Sequence, residues 1–129
     1  MKKVLIVDDD IDMTKLLSKI VEKSGYEAIA VKNGEEGMGK VRENRPDLII
    51  LDILMPRQSG IRMYRELKTD EPLKDIPVIM VSAIAKKSFF RSQEVLDEST
   101  GQSVPEPEAY IEKPAEPEEL VELMRKILG

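Results

Sequence analysis

Residues 48–51 are Leu-Ile-Ile-Leu, and the next residue is Asp52. A wholly apolar run of four, bounded by polar and turn residues, reads as an interior strand buried on both faces, as in a parallel sheet. Asp is among the poorest strand formers and is costly to bury without a partner. At the carboxyl end of such a strand it either caps a turn or stands where open α/β sheets gather ligands and chemistry. The rest of the chain decides between these two.

Four more short apolar runs follow the same plan. Val4–Val7 reads as a first strand ending in Asp8-Asp9-Asp10. Met13, Leu16, Leu17, Ile20 and Val21 then recur at helical spacing, with Asp10 as N-cap and Gly25 as stop. Glu27–Val31 is a second strand. Asn33 and Gly34 open a second helix that carries Met38 and Val41 inward and ends before Pro46. The third strand is 48–52, and the loop 53–60 leads into a helix with Ile61, Tyr64 and Leu67 on one side. After a polar connection over 69–77, Val78–Val81 is a fourth strand that ends at Ser82-Ala83. Residues 86–98 predict a fourth helix with a weak apolar pattern, and 99–108, with Gly101, Pro105 and Pro107, a loop. A short fifth strand, Ala109–Glu112, stops at Lys113-Pro114. The last helix carries Leu120, Val121, Met124, Ile127 and Leu128. Five β-α units in succession predict an α/β fold: a parallel sheet with helices on both faces. No repeat, linker or second domain is visible, so residues 1–129 read as a single domain, and Met1 and the ending at Gly129 are expected to bound a complete chain.

Composition narrows the chemistry. Apolar residues make up 41% and charged residues 35% of the 129, the balance of a soluble globular domain. No run is long enough to cross a bilayer, and Val4–Val7 is too short for a signal peptide, so a cytoplasmic location without membrane contact is expected. There is no cysteine, which removes disulfides, thiolate metal sites and thiol nucleophiles. There is no histidine, which removes an imidazole base and a phosphohistidine of the chain's own. Any metal must be held by oxygen, which suits a hard cation such as Mg²⁺. A net charge of −5 and the lack of a basic cluster argue against direct nucleic-acid binding.

Four strand ends carry polar residues that a bare scaffold does not require: Asp8 and Asp9, Asp52, Ser82, and Lys113. In a parallel sheet these ends share one edge. Each alone also fits an ordinary role, the acids as helix caps, the serine as a turn cap, the lysine as a solvated charge. Together they describe more. Three neighbouring carboxylates repel, so they bind a cation or take up protons. A lysine and a hydroxyl on the same edge then meet an anion bound to that cation. The set suits a phosphoryl group beside a carboxylate nucleophile.

The segments Val7-Asp8-Asp9, Asp52-Ile53-Leu54-Met55-Pro56-Arg57-Gln58-Ser59-Gly60, Val81-Ser82-Ala83 and Lys113-Pro114 resemble the receiver domain of two-component response regulators, and the resemblance spans nearly the whole chain. It implies a flavodoxin-like doubly wound five-stranded sheet of order 2-1-3-4-5, for which the chemotaxis receiver is a standard example. It implies that Asp52 is the phosphoacceptor, taking its phosphoryl group from the phosphohistidine of a sensor histidine kinase or phosphotransfer protein. It implies Mg²⁺ held by Asp9, Asp52 and the backbone carbonyl of Leu54, with Asp8 acting through water. Lys113 and Ser82 would contact phosphoryl oxygens, and the Ala83 N–H a third. Lys113-Pro114 matches the family's cis peptide bond. The switch implied has Ser82 moving toward the phosphoryl group and Tyr110 rotating inward, which biases the surface of the fourth helix, fifth strand and fifth helix toward a downstream protein. Tyr110 also fits an ordinary half-buried strand tyrosine. The implied role is a signalling one; the chain would catalyse only its own phosphorylation and slow dephosphorylation.

The chain departs from the family over about 85–108. This stretch is longer than usual, lacks the Gly-Ala pattern after the fourth helix and carries Phe89 and Phe90 side by side. Residues 99–108 are expected to form a flexible surface loop. Leu54 and Ile84 flank the water path in the family, and both are apolar here, so slow self-dephosphorylation is expected. Other functions fit less well. A phosphatase with an Asp nucleophile needs a second acid where Leu54 stands, and a flavin carrier needs a Ser/Thr-Gly-rich loop after the first strand. A degenerate receiver acting as a phosphorylation-independent interaction module remains the alternative.

Overall fold

The computed structural model describes all residues 1–129. The elements are β1 (Lys3–Val7), α1 (Ile11–Lys23), β2 (Glu27–Val31), α2 (Gly34–Asn44), β3 (Leu48–Leu51), α3 (Ser59–Thr69), β4 (Val78–Ser82), α4 (Lys86–Thr100), β5 (Ala109–Glu112) and α5 (Pro117–Leu128), with a short 3₁₀ turn at Pro56–Gln58 before α3. All strand pairs are parallel and the order is β2-β1-β3-β4-β5. This is the doubly wound, flavodoxin-like α/β fold.

The central strand explains its own composition. Ile49 and Leu51 pack into the layer of α2, α3 and α4, while Leu48 and Ile50 pack against α1 and α5. Both faces are covered, so no polar alternation is tolerated. The chain runs from β1 out to β2, then returns to β3 on the other side of β1. That reversal opens a crevice between the carboxyl ends of β1 and β3, where ligands of such sheets bind.

Local signals set the helices. Asp10 caps α1, its carboxylate accepting from the N–H groups of Asp12 and Met13. Asn33 and Glu36 cap α2 reciprocally: the Glu36 N–H and the Asn33 amide each donate over 2.9 Å. Leu17, Ile20 and Val21 form the buried stripe of α1, but Leu16 is 44% exposed. The predicted apolar face was one residue too wide, since Leu16 lies about 100° from Leu17 around the helix.

Four boundaries differ from expectation. β1 opens at Lys3 rather than Val4. β3 ends at Leu51 rather than Asp52, although the Asp52 N–H still donates to Val7 O over 2.9 Å. β4 takes in Ser82. α4 runs two turn-residues further, to Thr100, and stops where Gly101 adopts a left-handed φ of +72°.

The largest correction concerns the expected flexible loop at 99–108. Ser99 and Thr100 are helical, and the remaining strap, 101–108, is fastened to α3 and α4. Arg65 donates to Gln93 Oε1 at 2.9 Å and Gln102 O at 3.1 Å and pairs with Asp97 at 3.0 Å. The Val104 N–H donates to Asp97 Oδ1, and the Tyr64 hydroxyl donates to Pro105 O. Val104 packs on the core, and the Glu108 carboxylate accepts the Val78 N–H over 2.9 Å. The strap has few groups that can bond within it, so side chains of α3 and α4 supply its partners.

Candidate functional site

The predicted residues converge on the carboxyl edge of the sheet. Asp8 follows β1 and Asp52 follows β3, and both are buried, at 2% and 4% exposure. Asp9 faces solvent beside them. Asp8, Asp9 and Asp52 each offer a carboxylate oxygen within 4.8 Å of the others. Lys113, at the end of β5, reaches between two of them, with Nζ 3.1 Å from Asp8 Oδ2 and 3.2 Å from Asp52 Oδ2. Its own N–H donates to Ser82 O over 2.8 Å, which ties the ends of β4 and β5 together, and the Lys113-Pro114 bond is cis.

Backbone donors hold the two buried acids. The Asp10 N–H donates to Asp8 Oδ1 at 3.0 Å, and the Leu54 N–H to Asp52 Oδ1 at 2.9 Å. Each acid thus keeps Oδ2 for the lysine. Gly60, in the first turn of α3, is required by closeness: a Cβ there would lie 2.3 Å from Asp52 O and 2.7 Å from Ile53 Cα. The motif contains this glycine, but its pressing against the backbone of Asp52 is visible only in three dimensions.

The electrostatics are those of a site short of positive charge. Burial raises the Asp8 pKa above the ordinary carboxylate value; the bond from Asp10 and the lysine oppose this, and the Asp52 charge adds to it. Burial alone would lower the Lys113 pKa, but its bond to Asp8 and the charges of Asp52 and Asp8 outweigh that and raise it. Three carboxylates against one ammonium leave two negative charges, which one divalent cation cancels. The donors are all oxygen, as Mg²⁺ requires. The residues present therefore fit a hard divalent ion.

Ser82 is fully buried, and its Oγ accepts the Ile84 N–H at 3.2 Å. Ala83 is exposed beside it. Leu54 is 55% exposed at the other side, and Ile84 is half-buried. Tyr110 is half-buried and its hydroxyl donates to Ile84 O over 2.6 Å. Burial pushes that hydroxyl's pKa up to about 12. The sequence reading missed Glu112, whose carboxylate accepts the Lys86 N–H over 2.7 Å and so caps α4 from the neighbouring strand. Nothing local to Glu112 signals a helix start 26 residues earlier.

No helix is long and apolar enough to cross a membrane. The family model of the response regulator receiver domain matches residues 4–125. The chain is 39% identical over 128 residues to the polar-differentiation response regulator DivK of Brucella anthropi, covering 99% of this chain and 97% of that one. Among solved structures it resembles the signal receiver domain of a signal transduction histidine kinase from Syntrophus aciditrophicus, with TM-score 0.82 and 31% identity over 99% of this chain and 90% of that one. It also resembles the chemotaxis protein CheY4 of Vibrio cholerae, with TM-score 0.79 and 25% identity over 98% of both chains. With its acid pocket and lysine on the edge where the doubly wound sheet reverses, the chain belongs to the response regulator receiver domain family and is a signalling phosphoacceptor rather than an enzyme.

Proposed function

We propose that the chain is a single-domain response regulator, one receiver over residues 1–129, that accepts a phosphoryl group on Asp52 from the phosphohistidine of a sensor histidine kinase or phosphotransfer protein. The observation that carries this reading is the position of Lys113 Nζ, bonded to both buried acids and within reach of any group added to Asp52. An Asp52 carboxylate oxygen attacks phosphorus, the P–N bond to the donor histidine breaks, and its electron pair leaves with the imidazole. The product is an acyl phosphate. Lys113 then exchanges part of its contact with Asp52 for a phosphoryl oxygen, while the Ser82 hydroxyl and the Ala83 N–H donate to others. Such transfers depend on positioning and charge neutralisation more than on covalent help from the protein.

Asp9, Asp52 and the Leu54 carbonyl are the residues that would hold Mg²⁺, with Asp8 contributing through water. That ion supplies charge neutralisation for the incoming phosphoryl oxygens. Leu54 and Ile84 carry no group that orients an attacking water, which supports slow loss of the phosphoryl group. Ser82 and Tyr110 are the proposed switch pair, and the face of α4, β5 and α5 the surface offered to a downstream protein in the cytoplasm.

Acetyl phosphate with Mg²⁺, followed by intact mass, tests the reading. The wild type gains one phosphoryl adduct and Asp52→Ala none. An unmodified wild type would instead leave a receiver acting as a phosphorylation-independent interaction module.

A further inference from the structure

Four of the five aromatic residues form one continuous line. Tyr110 of β5 lies tilted against Phe89 of α4 with ring centroids 5.5 Å apart, and meets Phe90 edge to face at 6.3 Å. Phe89 meets Tyr64 of α3 edge to face at 6.2 Å. Phe89 and Tyr64 are fully buried. Each end of the line finishes in a hydrogen bond to a backbone carbonyl. The Tyr110 hydroxyl donates to Ile84 O, whose N–H donates to Ser82 Oγ at the phosphoryl site. The Tyr64 hydroxyl donates to Pro105 O in the strap. An unbroken series of packed rings thus joins the carboxyl edge of the sheet to the segment that feeds β5 from the opposite edge.

We infer that the strap 101–108 is the distal end of the switch: a displacement of Ser82, Ile84 or Tyr110 is passed through Phe89 to Tyr64 and loosens its bond to Pro105. The inference rests on the proposed phosphoacceptor role of Asp52. Packed interiors pass such displacements on because rings in contact shift together rather than compress. The strap is docked on Tyr64, Arg65 and Asp97, and the inferred switch alternates this state with one released into solvent. Coupling needs such a two-state element. Two strap amides report the state directly. The Val104 N–H is bonded to Asp97 and the Gln102 N–H to Thr100 Oγ1 when docked.

Amide exchange at Gln102 and Val104, with intact mass as the check on phosphorylation, tests the coupling. Acetyl phosphate and Mg²⁺ should speed exchange at both amides in the wild type about fivefold, the effect of losing one hydrogen bond. Phe89→Leu should take the same adduct and show no such change. Tyr64→Phe, which keeps the ring and so guards against a folding failure in Phe89→Leu, should exchange fast before any phosphorylation and gain nothing from it. A phosphorylated wild type with unchanged exchange would overturn the coupling. Failure of the wild type to gain an adduct would overturn the acceptor reading instead. The coupling is then judged on the unmodified protein by Tyr110→Phe, which releases Ile84 O: altered exchange at Gln102 and Val104 supports it, and unaltered exchange sinks it.

Discussion

One cluster of acids and bases stands at the carboxyl edge of the sheet and another between α3 and α4, and they are built to different ends. At the carboxyl edge, three carboxylates share one ammonium. Beside α3 and α4, Arg65 meets a single carboxylate, Asp97, and also donates to Gln93, Thr100 and Gln102 O. The first cluster is charge-deficient and keeps an open demand for a cation and for a group that Lys113 can bind. The second has its charge matched one to one, although Gln93, which accepts from Arg65, keeps its own Nε2 buried without a partner. Unmatched charge at the first leaves room for a bound cation, whereas the matched pair at the second ties two helices together.

The contrast breaks first at Lys113. Lys113→Met leaves Asp8 and Asp52 buried side by side without a cation, and breaking a buried pair in this way costs about 3 kcal/mol. Chemical denaturation without Mg²⁺ should show that loss, and Mg²⁺ should restore part of it. A smaller loss without the ion would mean the acid edge is balanced by other means. Next comes the ion itself. Mg²⁺ at about a hundredfold excess over its Kd should stabilise the wild type by about 2.7 kcal/mol. Asp9→Ala, which removes one of three mutually repelling carboxylates, should not lower the melting temperature of the metal-free protein and should abolish most of the Mg²⁺ gain.

The second cluster should answer differently. Arg65→Met removes one ion pair and several hydrogen bonds from a mostly buried side chain and should cost about 2 kcal/mol by denaturant titration. It should leave the yield of the acetyl phosphate adduct unchanged; a lost adduct would show that the brace also shapes the acceptor. The smallest effect lies in pH. Asp8 has a folded-state pKa above its ordinary 3.8, so between those values the folded chain holds a proton that the unfolded chain has released. Its contribution is present at low pH and is lost as pH rises through the folded value. In metal-free protein the stability advantage of Asp8→Asn over the wild type should therefore shrink as pH falls toward about 4. An advantage independent of pH would show that burial does not disfavour the Asp8 charge.

The strand and helix positions were legible because their signals are local and repetitive, whereas the strand order was implied only by the resemblance to receiver domains. A run such as Val78–Val81 is apolar at every position, α5 repeats Leu120, Met124 and Leu128 every four residues, and caps such as Asp10 act within three residues. The acid edge was legible for a related reason: in a parallel sheet every strand ends on the same side, so reading the strand ends as Asp8, Asp52, Ser82 and Lys113 was enough to bring them together.

The sequence by itself therefore determined the layers and the acid edge, since each follows from periodicity or from the shared direction of the strands, while the order of the strands came from the resemblance to receiver domains and is borne out by the sheet. Only the tertiary structure decided that Arg65 braces Asp97, that Tyr64 holds Pro105, that Glu112 caps α4 and that Gly60 lies against Asp52. Those pairings span 8 to 41 residues and depend on how far each helix is rotated and shifted against its neighbour. The same side chains, a few ångströms displaced, would reach only water, which is why 99–108 read as a free loop and folded as a strap.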